Sequence, residues 1–173
     1  MITGATGLIG STIVRCILAL DNGASITIPV RNRAKAAAMY GADTPRLDIV
    51  ECDLMEYCTT MDEEFDYIIH CASPTAGKYM NEHPVETYEL AVETTRALLQ
   101  YARKHTIKGM VYVSSLEYYG QNFDDQIITE DFQGYVDATS ARSSYPMGKR
   151  AAEYLCASYA LEYGIHAKVA RLT

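Results

Sequence analysis

Residues 3–10 read Thr3-Gly4-Ala5-Thr6-Gly7-Leu8-Ile9-Gly10, the form T-G-x-x-G-x-x-G, between a strand-like start and a segment patterned as a helix. Glycine in such a turn lets the chain reverse tightly and brings backbone N–H groups up to a pyrophosphate. The last glycine lets helix and strand pack closely. A phosphate held there sits on the positive end of the helix dipole. Gly4, Thr6, Gly7, Leu8, Ile9 and Gly10 are therefore expected to bind a dinucleotide.

Outward from the turn, short apolar runs alternate with longer helical patterns. Residues 26–30, 48–52, 67–71, 109–114 and 167–172 read as buried strands, and residues 8–20, 34–40, 84–105 and 146–163 as helices. Pro146 suits a first helical turn and Gly164 a helix stop. The alternation predicts an α/β fold, a doubly wound parallel sheet with helices on both faces. Pro29 cannot donate to a sheet ladder, so its strand is expected to be short or bulged. Only Met1-Ile2-Thr3 precede the turn and the chain stops as a strand ends, so it reads as a segment trimmed at both ends. The stretch 121–144 is polar and irregular, a length that is more often functional than idle.

Composition narrows the function. The 173 residues carry a net charge of −7 and are 49% hydrophobic, enough for one domain with a sizeable core. No basic stripe suggests nucleic acid, and no apolar run is long enough for a bilayer. Five cysteines without a C-x-x-C pair read as reduced thiols. With no secretory pattern at the start, a cytoplasmic protein is expected. No metal site is expected.

Ends of the predicted strands supply further candidates. After the second comes Arg31-Asn32-Arg33, with no Asp or Glu between residues 22 and 42 to take a ribose 2′-hydroxyl. Arg31 suits the 2′-phosphate of NADP, or is part of a solvated basic pair. Asp53-Leu54 closes the third strand, and Asp53 could accept from an adenine amino group. His70-Cys71-Ala72-Ser73-Pro74 follows the fourth strand. There Ala72 and Ser73 would let a cofactor lie against the backbone, and His70 reads as a packing residue.

Tyr145 and Lys149 form Y-x-x-x-K at a helix start, where i and i+4 share a face. A free phenol titrates near ~10, too high for a base at neutral pH; a fixed positive charge beside it should lower that value. Gly109-Met110-Val111-Tyr112-Val113-Ser114-Ser115 is an apolar strand ending in hydroxyls, one of which could hold a substrate oxygen against the tyrosine.

In T-G-A-T-G-L-I-G, H-C-A-S-P, V-Y-V-S-S-L-E-Y-Y-G and Y-P-M-G-K-R-A-A-E, the chain resembles the extended short-chain dehydrogenases, the NAD-dependent epimerase/dehydratase family, over essentially its whole length. Ile128-Thr129-Glu130-Asp131 and Arg142-Ser143-Ser144-Tyr145 look most like its UDP-glucuronate decarboxylase branch. The resemblance implies a Rossmann-type NAD(P)-binding domain over residues 1–173, with the substrate-binding C-terminal domain absent. It further implies a nucleotide-sugar substrate, bound NAD (or NADP, as Arg31 hints) and a homodimer packed through the long helices. Ser115 takes the place of the catalytic Ser/Thr, Tyr145 that of the base, and Lys149 that of its electrostatic partner and ribose ligand. Tyr145 and Lys149 thus also count as cofactor contacts. Family dehydratases carry Asp-Glu after the Ser/Thr; here Leu116-Glu117 stands there, which leaves Glu117 as a second acid/base and argues against simple dehydration. The family's usual helix Asn is Ala91.

These features predict an enzyme that modifies a nucleotide sugar through transient hydride transfer, by epimerisation, elimination or decarboxylation. Two other readings are an NADPH-dependent reductase of small carbonyl compounds and a non-catalytic NAD(P)-binding sensor or scaffold.

Overall fold

The computed structural model describes residues 1–20, 23–74, 76–124 and 127–173; Asn22, and Asp125 and Gln126 of the irregular stretch, lie outside them. Strand β1 (Ile2–Thr3) runs through the glycine turn into helix α1 (Leu8–Ala19). Then follow β2 (Ile26–Val30), α2 (Arg33–Tyr40), β3 (Leu47–Glu51), α3 (Leu54–Thr60), β4 (Tyr67–His70) and α4 (Gly77–Glu82). The rest of the chain forms α5 (Pro84–His105), β5 (Gly109–Ser115), α6 (Ser144–Tyr163) and β6 (Ala167–Leu172).

All strand pairs are parallel. β1, β4, β5 and β6 pair in that order in one sheet, and β2 pairs with β3 in another. β1 lies beside β2, so the order across the molecule is β3-β2-β1-β4-β5-β6, the doubly wound arrangement expected. Ligands of such sheets bind at the carboxyl ends of the strands, where the order reverses between β1 and β4.

Two apolar cores lie against the sheet. Ile2, Val14, Ile26, Ile28, Val30 and Ile49 form one around β2 and α1. Ile68, Leu98, Leu99, Met110, Tyr112, Ala152 and Cys156 belong to the other, between the sheet and the long helices α5 and α6. Helix α5 starts with Pro84 at its first turn and ends in Arg103, Lys104 and His105, charges that suit the negative end of its dipole. Gly164 ends α6, the helix stop expected of it, in the left-handed conformation that glycine adopts without strain.

Pro29 departs from expectation. β2 is five residues long and in unbroken register with β3, Pro29 opposite Val50. Ile26 donates to Arg46 O at 2.7 Å and Val30 O accepts from Cys52 at 3.0 Å. Alternate residues 26, 28 and 30 therefore direct their backbone groups at β3. The missing donor of Pro29 faces the other way, where β1 spans only two residues and makes no ladder with β2. Helices α3 and α4, of seven and six residues, are too short to announce themselves by periodicity.

Candidate active site

The glycine turn is built from absent methyl groups. Gly4 has φ +67°, and a Cβ there would fall 2.6 Å from Ala72 N; a Cβ on Gly10 would fall 2.4 Å from Gly4 O. Both contacts are with backbone, which cannot swing aside. Gly7 N–H donates to Gly4 O at 3.0 Å and Gly7 caps α1 with no side-chain hydrogen bond. The first turn of α1 is therefore left with backbone donors, no acidic residue near them, and Leu8 largely exposed. Such an end suits a phosphate.

Behind the turn, His70 is fully buried and ties β1 to α5. Thr94 donates to Leu90 O, so its hydroxyl oxygen accepts from His70 Nε2 at 3.4 Å. Nδ1 then accepts from Thr3 Oγ1 at 2.7 Å, and Thr3 Oγ1 accepts from Ala72 N at 3.2 Å. Burial, with Lys149 nearby, holds the imidazole neutral and pushes its pKa down to about 3. His70 is thus the packing residue expected, and it sets the backbone of Ala72, beside the turn.

Of the other predicted cofactor contacts, Arg31 is exposed at the end of β2. Asn32 caps α2, accepting from Lys35 N at 2.8 Å, and Asp53 caps α3, accepting from Met55 N at 2.9 Å and Glu56 N at 3.2 Å. One oxygen of each side chain is therefore in use within the protein. Leu54 opens α3, and the Ser73 hydroxyl is buried without a full hydrogen bond.

Ser115, Tyr145 and Lys149 come together at the carboxyl end of β5. Tyr145 is buried, and the Ser115 hydroxyl lies close enough to its phenol to favour the phenolate. The Ser73 hydroxyl also lies close enough to favour the phenolate, though not in the geometry of a full bond. Lys149, one turn along α6 and almost wholly buried, donates to Val113 O at 2.9 Å. Its Nζ lies 5.5 Å from the centre of the Tyr145 ring and 4.8 Å from that of Tyr112. Burial pushes the ammonium down to about 8.

The balance on the phenol differs from expectation. Burial pushes the Tyr145 pKa up, outweighing the opposite influence of the Ser115 hydroxyl, and the nearby charges that act on it are Glu117 and Arg142 rather than Lys149. Glu117 sits on the 3-10 turn Leu116–Tyr119, its N–H donating to Ser115 Oγ at 3.2 Å. Its carboxylate accepts from Arg142 Nη2 at 2.7 Å. The sequence reading gave Arg142 no role; its partner lies 25 residues away, and no local spacing signals the pair. Arg150 was likewise missed: it donates to Tyr118 O, Tyr119 O and Gly134 O, fastening the irregular stretch to α6.

A family model described as the NAD dependent epimerase/dehydratase family matches residues 1–173. The chain belongs to that family. Among curated proteins it is 28% identical to UDP-glucuronic acid decarboxylase 6 of Arabidopsis thaliana over 176 residues, covering 99% of this chain and 49% of that protein. It is 25% identical to UDP-glucuronic acid decarboxylase 1 of Danio rerio, covering 99% of this chain and 40% of the other. The chain thus spans half the length, or less, of these relatives. Among solved structures, DesIV, a dTDP-glucose 4,6-dehydratase from Streptomyces venezuelae crystallised with NAD and TYD, superposes with a TM-score of 0.82 at 26% identity, covering 98% of this chain and 54% of that one. A UDP-N-acetylglucosamine 4-epimerase from Methanobrevibacter ruminantium M1 shares the fold, with a TM-score of 0.83 at 22% identity over 98% of this chain and 53% of that one.

Within this epimerase/dehydratase fold, Ala91 occupies a tight place. It is buried on α5, and a Cβ on Gly148 of α6 would lie 3.0 Å from its methyl group. Two small residues let α5 pack closely on α6, the helix that carries Tyr145 and Lys149. Among the described residues, no helix is long and apolar enough to cross a membrane.

Proposed function

We propose that residues 1–173 are the NAD-binding domain of an enzyme that alters a nucleotide sugar by transient oxidation. The observation that carries this is the convergence of Ser115 and the Tyr145 phenol at the carboxyl end of β5, with Lys149 one helical turn on and the glycine turn at the same edge of the sheet. The turn suits a dinucleotide: Gly4 and Gly10 let the backbone close tightly on itself, and the α1 end carries donors with no side-chain cap. Gly4, Thr6, Gly7, Leu8, Ile9 and Gly10 would hold the pyrophosphate. Arg31, Asn32, Asp53 and Leu54 would face the adenosine half, and Ala72, Ser73, Tyr145 and Lys149 the nicotinamide half.

Bound oxidised dinucleotide supplies a hydride acceptor and a positive ring charge. Tyr145, as phenolate, takes the proton of a sugar hydroxyl that Ser115 orients. Lys149, its Nζ 5.5 Å from the centre of the Tyr145 ring, would supply donors toward a ribose. Glu117 serves as a second acid/base on a carbon made acidic by the neighbouring ketone. The likeness to UDP-glucuronic acid decarboxylases and the Leu116-Glu117 pair favour a UDP-uronic acid as substrate and decarboxylation as the outcome. The protein is further proposed to work as a homodimer through α5 and α6.

Tyr145→Phe should reduce turnover of UDP-glucuronate by at least a thousandfold while leaving NAD affinity, read by calorimetry, within about twofold. Near-normal turnover in this variant would refute the assignment. A second reading, an NADPH-dependent carbonyl reductase, is favoured by exposed Arg31 at the end of β2. Preference for NADPH over NAD in the same calorimetric titration would support it.

A further inference from the structure

We infer that Arg142 is a positioning residue for the site's base: its ion pair with Glu117 holds that carboxylate beside Tyr145 and offsets its charge on the phenol. The inference rests on Tyr145 being that base. Arg142 Nη2 meets Glu117 Oε1 at 2.7 Å, and the guanidinium carbon lies 6.0 Å from the centre of the Tyr145 ring. Ser115 Oγ accepts the Glu117 N–H at 3.2 Å and lies close enough to act on the phenol, so one hydroxyl stands between the turn that bears the carboxylate and the base. The other terminal nitrogen, Nη1, is buried and has no hydrogen-bond partner among the described residues. A buried donor left unpaired is costly, while the Arg142 side chain as a whole stays 43% exposed.

The groups that face the phenol come from three directions. Ser115, Glu117 and Tyr112 come from β5 and the turn after it, Ser73 from the segment after β4, and Arg142 and Lys149 from α6 and the residues leading into it. Glu117 and Arg142 act on the phenol with opposite sign: the carboxylate disfavours the phenolate and the guanidinium favours it. At 6 Å, half exposed to water, a unit charge moves such a group by about half a pH unit. Without Arg142 the field of Glu117 is unopposed, and its carboxylate is free to turn away from the base.

The test is a fluorine NMR titration of the full chain labelled with 3-fluorotyrosine, the Tyr145 signal being assigned by its loss in Tyr145→Phe. Arg142→Gln should move the Tyr145 titration upward by about half a pH unit. Arg142→Lys, which keeps the charge, should restore most of that shift, and Glu117→Gln should move the titration downward. An unchanged titration in Arg142→Gln, or equal shifts in the Gln and Lys variants, would overturn the inference. If Arg142→Gln does not fold, Glu117→Gln decides, and a titration that fails to fall counts against it. Turnover of UDP-glucuronate is followed separately. Its absence in the parent protein would refute the proposed function, whereas the titration judges the ion pair by itself.

Discussion

Gly4 and Gly10 are side chains reduced to nothing because backbone occupies the space. An alanine at Gly4 would combine a left-handed φ with a 2.6 Å contact, and one at Gly10 would press on Gly4 O. At Gly7 the corresponding contact is 3.3 Å, which a small shift relieves. Gly4→Ala and Gly10→Ala should each weaken NAD binding by at least about tenfold, with Gly7→Ala milder, as read by calorimetry on folded protein. Equal effects at all three positions would mean that the turn is not shaped by these contacts. The glycines were legible because their steric demand is local and repeats at a fixed spacing. Tyr145, Lys149 and Ser115 were legible as a pattern, and the fold brings them together. The charge balance on the phenol was not: it depends on how deeply Tyr145 is buried and on Arg142 meeting Glu117 across a long loop. The capping work of Asn32 and Asp53 was hidden for a similar reason, since either residue type fits a ligand contact equally well on paper.

Strand β4 meets helix α5 through His70, and this joint makes the fold sensitive to acid. The buried imidazole stays neutral down to about pH 3, while in the unfolded chain it takes a proton at its ordinary value near 6.5. Its contribution to stability is complete above 6.5 and is lost as pH falls toward 3. At pH 5 the loss is on the order of 2 kcal/mol. Denaturant melts between pH 7 and pH 5 should show this slope, and His70→Asn, less stable at pH 7, should show a shallower one; equal slopes would exclude His70 as the source. At this scale, reading from sequence succeeded where elements are long. Helix α5 has the predicted bounds, because twenty-two residues repeat its pattern and Pro84 marks its start. Short α3 and α4 gave too few turns to count. The worry over Pro29 came from treating both edges of β2 as paired, when the edge that lacks the donor has no ladder to lose.

Across the molecule, α6 turns Met147, Tyr154 and Leu161 to solvent at intervals of seven residues, and Val85 and Tyr88 of α5 are exposed on the helix packed against it. Apolar side chains at that spacing suit another helical surface. If the proposed homodimer forms there, light scattering should give twice the chain mass. Tyr154→Glu combined with Leu161→Glu should weaken the association by about a hundredfold; a dimer that survives both changes must use another face. The doubly wound order was legible from the alternation of elements, since parallel strands need crossover helices. The gap in the hydrogen bonding was not, because it depends on how far β1 extends. That gap has a mechanical consequence. β2 and β3 join the remaining strands through side chains packed together such as Ile2 and Ile28, with no ladder hydrogen bonds to β1 among the described residues. Local opening follows the line of fewest bonds, so the body has a seam, and the glycine turn that follows β1 lies beside it. A cofactor gripping both banks would act as a rivet, stiffening the whole sheet from its weakest point.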